Sequence, residues 1–338
     1  MLADYTTFRV GGAAKSLITA ETEADLVAAV TEADAQGEPV LLIGGGSNVL
    51  ISDDGFDGTV IVIATRGVDA DVSTCSGASV TLAAGEPWDP FVARAVEEGW
   101  GGVEALSGIP GLAGATPIQN VGAYGSDVSQ TIASVRTLDR QTGQYATFAA
   151  ADCGFGYRTS RFKADLHRYL VLQVTFQLPL SDLSAPVRYA ELARTLGVEA
   201  NARVPAADVR HAVLDLRNGK GMVLNPDDHD TWSAGSFFTN PLLTEEQAAR
   251  LPEGAPRYPQ VDGTVKSSAA WLIDHAGFAK GYGKGSATLS TKHTLALTNR
   301  GDARAADLLA LAREVRAGVL ERFGVELVNE PLLVGCEL

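Results

Sequence analysis

Apolar and polar positions along this 338-residue chain change period several times, and each change marks an element. Ser16 to Thr19 reads as a short strand. Thr22 is placed to cap a helix running to about Ala35, with Leu26, Val27 and Val30 on its apolar face and Gly37 past its end. The apolar run Val40 to Ile43 predicts a buried strand, and Val49 to Ile51, a turn at Asp53 to Gly58 and the β-branched run Thr59 to Ile63 continue a β-α-β start. Ser79 to Ala83 predicts a further strand, and Asp89-Pro90 opens a helix in which Phe91, Ala95 and Val96 face the core. Val135 to Asp139 and Tyr145 to Phe148 flank Gln141-Thr142-Gly143 as a hairpin. Tyr169 to Leu178 predicts a strong strand in which Leu170, Leu172, Val174 and Phe176 alternate with other residues.

Pro179 to Pro186 mixes serines, aspartates and prolines and is the best domain boundary that the composition offers. Beyond it, helical periodicity covers Tyr189 to Leu196, Ala206 to Arg217, Thr244 to Leu251, Ser267 to Ala276 and Arg304 to Phe323, the last with Leu308, Leu311, Val315 and Val319 on one face. Val325 to Val334 reads as a closing strand. The pattern is α+β, without internal repeats.

The richest chemistry lies between predicted elements. Gly108 to Gly125, GIPGLAGATPIQNVGAYG, interleaves glycines with uncharged hydrogen-bonding side chains, so backbone N–H groups can approach a bulky anion such as a diphosphate. GGGSN, Gly44 to Asn48, has the same character directly after a predicted strand. Each loop alone is equally consistent with tight turns, but two of them suggest a dinucleotide. Neither matches a Walker loop or the G-x-G-x-x-G nicotinamide fingerprint.

Three smaller segments mix one reactive group with turn-forming or bulky neighbours: Cys153 to Lys163, Ser233 to Pro241 and Asn329 to Pro331. Tyr157-Arg158 offers a stacking ring and a planar cation suited to a carboxylate, against a surface arginine. Ser236, set before Phe237-Phe238, is either a partly desolvated hydroxyl or a turn serine. Glu330, beside Pro331, is either a buried acid or a solvated strand end.

A net charge of −14 without a basic stripe argues against a nucleic-acid or anionic-membrane partner. The 46% hydrophobic content suits about two folded domains. Cys75, Cys153 and Cys336 have no paired short spacing, so neither a disulfide framework nor a metal site is expected. The start of the sequence has no signal-peptide pattern and no apolar run is long enough to span a bilayer, which predicts a cytoplasmic protein.

In order and spacing, FRVGGAA, GGGSNVL, GIPG with PIQNVGAYG, FGYRTSRFK, AGSFFTNP and KSSAAWLIDHAG closely resemble the bacterial UDP-N-acetylenolpyruvoylglucosamine reductases, from about Tyr5 to Gly335. The resemblance implies a two-lobed FAD-binding fold of the vanillyl-alcohol oxidase type plus a C-terminal α+β substrate-binding domain. The expected division is residues 1–180, with lobes at about 1–64 and 65–180, and residues 181–338, the final strand returning to the FAD-binding part. It implies noncovalent FAD held by Gly44, Gly45, Gly46, Ser47, Asn48, Val49, Ser107, Ile109, Pro110, Gly114, Gln119, Asn120 and Gly122, with NADPH as co-substrate. The implied substrate is UDP-N-acetylglucosamine enolpyruvate, met by Tyr124, Tyr157, Tyr189, Lys220 and Asn240, with no obligate protein partner. VRYAELARTLGVEANARV, which carries Tyr189, is similar to the insertion of the family's longer form.

By the same resemblance Arg158 binds the substrate carboxylate, Glu330 stabilises it and Ser236 delivers a proton. Many members end in an acid, an apolar residue and an arginine, whereas Glu330 is followed by Pro331 and Leu332. Counting back from Gly335 selects Glu330, with Glu326 as competitor. Ser290 stands where some members carry a histidine, and His293 is given no role. The rival readings are a flavin oxidase, which the lack of a histidine in the glycine loops weakens, and a non-catalytic flavin or nucleotide binder.

Overall fold

The strongest alternating run, Tyr169–Leu178, forms the middle strand of a five-stranded antiparallel sheet in the computed structural model, which describes residues 1–338. Across the sheet the order is Gln144–Ala149, Ile132–Asp139, Tyr169–Leu178, Gly77–Ala83 and Val68–Ser73. A register shift between Val171 and Gln173 against the neighbouring strand divides the buried side chains between two cores. Leu170 and Leu172 join Leu26, Val30 and Ile61, whereas Val171, Val174, Phe176 and Leu178 join the helix Trp88–Glu97. One strand thereby serves both lobes.

The smaller lobe is a three-stranded sheet, ordered Ala14–Ala20, Phe56–Ile63, Val40–Ile43, and covered by the helix Glu23–Ala35. Its last two strands are parallel, and the Thr22 hydroxyl caps the helix by accepting from Asp25 N–H at 3.1 Å. In the larger lobe Trp88, Phe91 and Phe176 form a triad with ring centroids 5.5 to 5.6 Å apart. The Trp88 indole N–H reaches the Leu106 carbonyl at 3.1 Å, tying this core to the start of the long glycine loop.

The expected boundary near residue 181 does not coincide with the division of the structure into a central unit, residues 15–45 and 57–218, and a terminal unit, residues 1–14, 46–56 and 219–338. The helices Ala190–Leu196 and Ala206–Gly219 stay in the central unit because Leu192, Val209 and Val213 pack with Ala105 and Val187. Residues 46–56 belong to the terminal unit, where Val49–Ile51 pairs in parallel with the final strand Leu332–Val334. That final strand is shorter than the expected Val325 to Val334. The preceding residues bond instead to the Phe237 region, and Pro331 lacks the N–H for a ladder.

In the terminal unit the long helix Ala305–Phe323 and the helix Ala269–His275 pack around Leu308, Val315, Leu272 and Phe237. The Asp53 carboxylate accepts from Ala305 N–H at 2.8 Å and Ala306 N–H at 3.0 Å, closing the helix N-terminus from far away in sequence. Val68–Ser73 carries no strand signal in the sequence because it is a mostly polar edge strand, and the Ala287–Leu289/Leu297–Asn299 hairpin carries none because its strands are too short for a period. No helix is long and apolar enough to cross a membrane.

Phe176 is fully buried at the centre of the aromatic triad. Phe176→Ala should cost about 3–5 kcal/mol of stability in chemical denaturation. A loss under ~1 kcal/mol would show that this triad is not the organising core of the larger lobe.

Candidate active site

In the central unit the strand Val40–Ile43 delivers Gly44 and Gly45 directly against the second glycine loop. A Cβ on Gly45 would lie 2.8 Å from the Gly111 Cα, and one on Gly44 would lie 3.2 Å from the Leu112 side chain. Glycine is required at Gly45 because two backbones touch there. A Cβ on Gly114 would come within 2.5 Å of the Ala84 Cβ, so this turn too admits only glycine. Backbone hydrogen bonds Trp88 N–H to Gly111 O at 3.0 Å and Gly114 N–H to Ala84 O at 2.9 Å pin the loop. Closely approached, side-chain-free backbone of this kind fits a diphosphate-bearing cofactor. Ser107 is buried, and Ile109, Pro110, Gln119 and Gly122 are half-buried along the same loop.

The end of that loop is fastened to the segment containing Arg158. Asn120 is buried, and its amide donates to Gly156 O at 3.0 Å while its Oδ1 accepts from Ser129 N–H at 3.1 Å. The Arg158 Nη2 donates to Gly122 O at 2.7 Å, and the Ser160 hydroxyl donates to Ile118 O. The Tyr157 ring lies 5.6 Å from the Arg158 guanidinium carbon. Tyr124 and Tyr189 meet edge to face at 5.6 Å, with Tyr124 half-buried and Tyr189 44% exposed. Burial pushes the Tyr124 hydroxyl up to about 12, so it stays a neutral donor at any ordinary pH.

Asn120, Tyr124 and Arg158 have φ of 48°, 50° and 52°, a left-handed conformation that disfavours side chains. Such conformations cost about 1–3 kcal/mol each and persist where surrounding structure over-determines them. Only Arg9 and Asn201 share this feature among non-glycine residues.

The terminal unit gathers a second set: Gly46, Ser47, Asn48, Val49, Lys220, Ser236, Asn240 and Glu330. A Cβ on Gly46, at φ 61°, would sit 1.9 Å from Tyr5 O, so only glycine fits. Glu330 N–H donates to Phe237 O at 2.8 Å, Phe237 N–H donates to Leu295 O at 2.8 Å, and Thr239 N–H donates to Val328 O at 3.0 Å. Leu332 N–H donates to Asn48 O at 3.0 Å, and the Asn48 side-chain amide reaches Glu330 O at 3.4 Å. Ser236, Glu330 and Asn48 are therefore tied by consecutive backbone contacts, although they lie far apart in sequence. Ser236 and Glu330 are both half-buried, whereas Glu326 is exposed and paired with Arg316. The Asn240 Oδ1 accepts from Ala269 N–H at 3.0 Å, fixing it to the start of a helix. Lys220 is half-buried at the head of the turn in which a Cβ on Gly221 would lie 3.0 Å from Asp230 O.

Supporting residues that the sequence did not reveal surround the loops. Asp89 accepts from Gly108 N–H at 2.6 Å and pairs at two points with Arg210, at 2.6 and 3.0 Å. Burial alone would raise the Asp89 carboxyl, but the Arg210 guanidinium and the Gly108 N–H overcome it and hold it below the ordinary 3.8. Its contribution to stability is therefore present above that value and fades as pH falls further. Glu104 is 1% exposed and accepts from Gly102 N–H at 2.6 Å and Ala185 N–H at 2.5 Å, anchoring the base of the segment that leads to Tyr189. No sequence pattern announces either role, because Arg210, the partner of Asp89, and Ala185, a partner of Glu104, lie far along the chain. No cluster of three or more His, Cys, Asp or Glu side chains could hold a metal ion.

Residues 14–149 match the FAD binding domain family, and residues 226–334 match the C-terminal domain of UDP-N-acetylenolpyruvoylglucosamine reductase. The fold and loops are those of a flavin-dependent oxidoreductase: a two-lobed FAD-binding fold of the vanillyl-alcohol oxidase type with a C-terminal α+β domain. Over its whole length the chain is 61% identical to the UDP-N-acetylenolpyruvoylglucosamine reductase of Streptomyces coelicolor, covering 90% of that protein. It is 58% identical to the reductase of Cutibacterium acnes, again over 100% of this chain and 90% of the relative. The crystal structure of the Thermus caldophilus reductase superposes with a TM-score of 0.68 at 26% identity, covering 99% of this chain and 97% of that one. The chain belongs to the UDP-N-acetylenolpyruvoylglucosamine reductase family.

Gly45→Ala should weaken FAD binding at least about tenfold, a loss of ~1.4 kcal/mol, when apoprotein is titrated by flavin fluorescence. Unchanged affinity would mean that the contact between the two glycine loops does not shape the cofactor site.

Proposed function

We propose that this protein is the NADPH-dependent flavoenzyme that reduces the enolpyruvyl group of UDP-N-acetylglucosamine enolpyruvate to the lactyl ether. The product, UDP-N-acetylmuramate, feeds peptidoglycan synthesis and so serves cell-wall biogenesis, cell shape and division. The observation that carries this reading is the similarity to reductases of this activity over the entire chain. The same reading assigns the enzyme to the cytoplasm and needs no protein partner.

FAD held by the glycine loops would supply the redox chemistry, hydride transfer between NADPH and the terminal carbon of the enol ether. On this reading Gly44, Gly45, Gly46, Ser47, Asn48, Val49, Ser107, Ile109, Pro110, Gly114, Gln119, Asn120 and Gly122 hold the cofactor without a covalent bond. Bare N–H groups suit its diphosphate, and the Gln119 and Asn120 amides suit its polar edges. Tyr124, Tyr157, Tyr189, Lys220 and Asn240 bind the sugar nucleotide. Tyr189, half exposed and packed edge to face on Tyr124, suits a cover over the substrate. The neutral Tyr124 hydroxyl can donate to a phosphate oxygen without adding negative charge.

Hydride addition drives electrons into the substrate carboxylate, creating an enolate-like dianion, and the protein's task is to stabilise that charge as it forms. Arg158 grips the carboxylate with its planar fork, and Glu330, in its protonated form, donates a hydrogen bond to the same group. Ser236 delivers a proton to the carbon next to the carboxylate. A serine hydroxyl is a weak acid, and the strongly basic intermediate makes it competent. The backbone bonds of Phe237 to Leu295 and Glu330, which fix the chain directly after Ser236, support this role, because a proton donor must meet its target at hydrogen-bond range.

Ser236→Ala should leave NADPH reduction of FAD nearly intact and slow reoxidation of the reduced flavin by the enolpyruvyl substrate by more than roughly 10²-fold. Stopped-flow absorbance of the two half-reactions separates them. Equal slowing of both halves would make Ser236 a shared pocket residue, and an unaffected oxidative half would eliminate it as the proton donor.

A further inference from the structure

Arg158 occupies an improbable backbone position. Gly156 and Thr159 bridge each other through hydrogen bonds of 3.1 and 3.4 Å, leaving Tyr157 and Arg158 as the two residues of a tight turn. Arg158, the second of these, has φ 52°, where glycine or asparagine is the usual occupant. A long charged side chain at such a position must be held there by its surroundings, and the structure contains two holds. One is the guanidinium's own donation to Gly122 O at 2.7 Å. The other is the Lys163 ammonium, which donates to the Arg158 carbonyl at 3.0 Å.

Lys163 is mounted for this purpose on a rigid base. It lies in the one-turn helix Arg161–Ala164, which the Ser160 hydroxyl caps by accepting from Phe162 N–H at 3.1 Å and Lys163 N–H at 3.2 Å. The same hydroxyl donates to Ile118 O, so the cap is anchored in the cofactor loop. Phe162, 2% exposed, locks the turn into the core against Phe148 at 5.8 Å and Tyr169 at 6.0 Å. The lysine stem therefore starts from a fixed point and bends back to the carbonyl five residues earlier. A carbonyl in a left-handed turn points away from regular backbone partners, and an ammonium with three donors can meet it from the side.

We infer that Lys163 is a positioning residue for the reduction, a brace that holds Arg158 in its left-handed turn so that the guanidinium presents a fixed fork to the substrate carboxylate. This rests on the role proposed for Arg158 above. It assigns Lys163 an effect on geometry rather than on the substrate itself, because the bond it makes to Arg158 is to the main chain. Small misplacements of a charge-stabilising group cost up to roughly 10²-fold in rate, which sets the size of the effect.

The test is a double-mutant cycle on the holoenzyme, reading substrate-driven flavin reoxidation by stopped flow in wild type, Lys163→Met, Lys163→Arg, Arg158→Met and Lys163→Met/Arg158→Met. Lys163→Met should slow reoxidation about 10- to 100-fold with little change in NADPH reduction of the flavin. Lys163→Arg, which keeps a cationic donor, should recover most of the loss. Without the Arg158 guanidinium there is nothing left to position, so Lys163→Met should add almost nothing in the Arg158→Met background. Full additive slowing there would overturn the inference and make Lys163 a direct substrate contact. A near-normal Lys163→Met enzyme beside a crippled Arg158→Met would overturn it while leaving the role of Arg158 intact. A near-normal Arg158→Met would instead remove the role of Arg158, and the brace with it.

Discussion

The hydrogen bond from Glu330 N–H to Phe237 O is the contact that brings the terminal unit's candidate residues together. It joins the residue after Ser236 to Glu330 itself, and two further backbone bonds extend the clamp to Leu295 on one side and Asn48 on the other. The parallel pairing of Leu332–Val334 with Val49–Ile51 continues it as a sheet. Behind it Phe237 and Phe238 are almost fully buried, so their carbonyls and N–H groups must be paired within the protein. The polar side chains gain orientation from bonds that the backbone has to make in any case.

The central unit solves the same problem differently, with strain. Asn120, Tyr124 and Arg158 account for three of the five non-glycine residues at positive φ, and all three lie in the paired segments 118–125 and 155–163. These segments are fastened by Asn120 to Gly156, Arg158 to Gly122 and Ser160 to Ile118. Contacts of that density can hold backbone that a free loop would abandon. The glycine loops beneath them are fixed by steric exclusion, since Gly45 and Gly114 stand where any side chain would collide.

Much of this was legible in the sequence because it is local. The helix Glu23–Ala35, the strand Val40–Ile43 and the middle strand Tyr169–Leu178 follow from periodicity, and the glycine loops stand out by composition. The unit boundary was not legible: residues 46–56 and 1–14 join the C-terminal half through pairing with Leu332–Val334 and packing of Phe8 on Phe237, which no local window contains. Asp89, Glu104 and Asp53 were invisible for the same reason, since each carboxylate serves backbone or charge far away in sequence. The alternation at 169–178 marks a strand, but its register shift, which shares it between two cores, depends on the neighbouring strand. For Arg158, Ser236 and Glu330, spacing supplied candidates and family resemblance supplied roles.

The central claim is that the chain couples NADPH oxidation to reduction of an enolpyruvyl sugar nucleotide. It is tested most directly by incubating the purified holoenzyme anaerobically with NADPH and UDP-N-acetylglucosamine enolpyruvate, and measuring NADPH consumed against the mass of the sugar nucleotide. The account predicts equimolar turnover, with the sugar nucleotide gaining the mass of two hydrogens and its vinyl signals replaced by those of a lactyl methyl group. NADPH oxidation that requires oxygen and leaves the sugar nucleotide unchanged would contradict it.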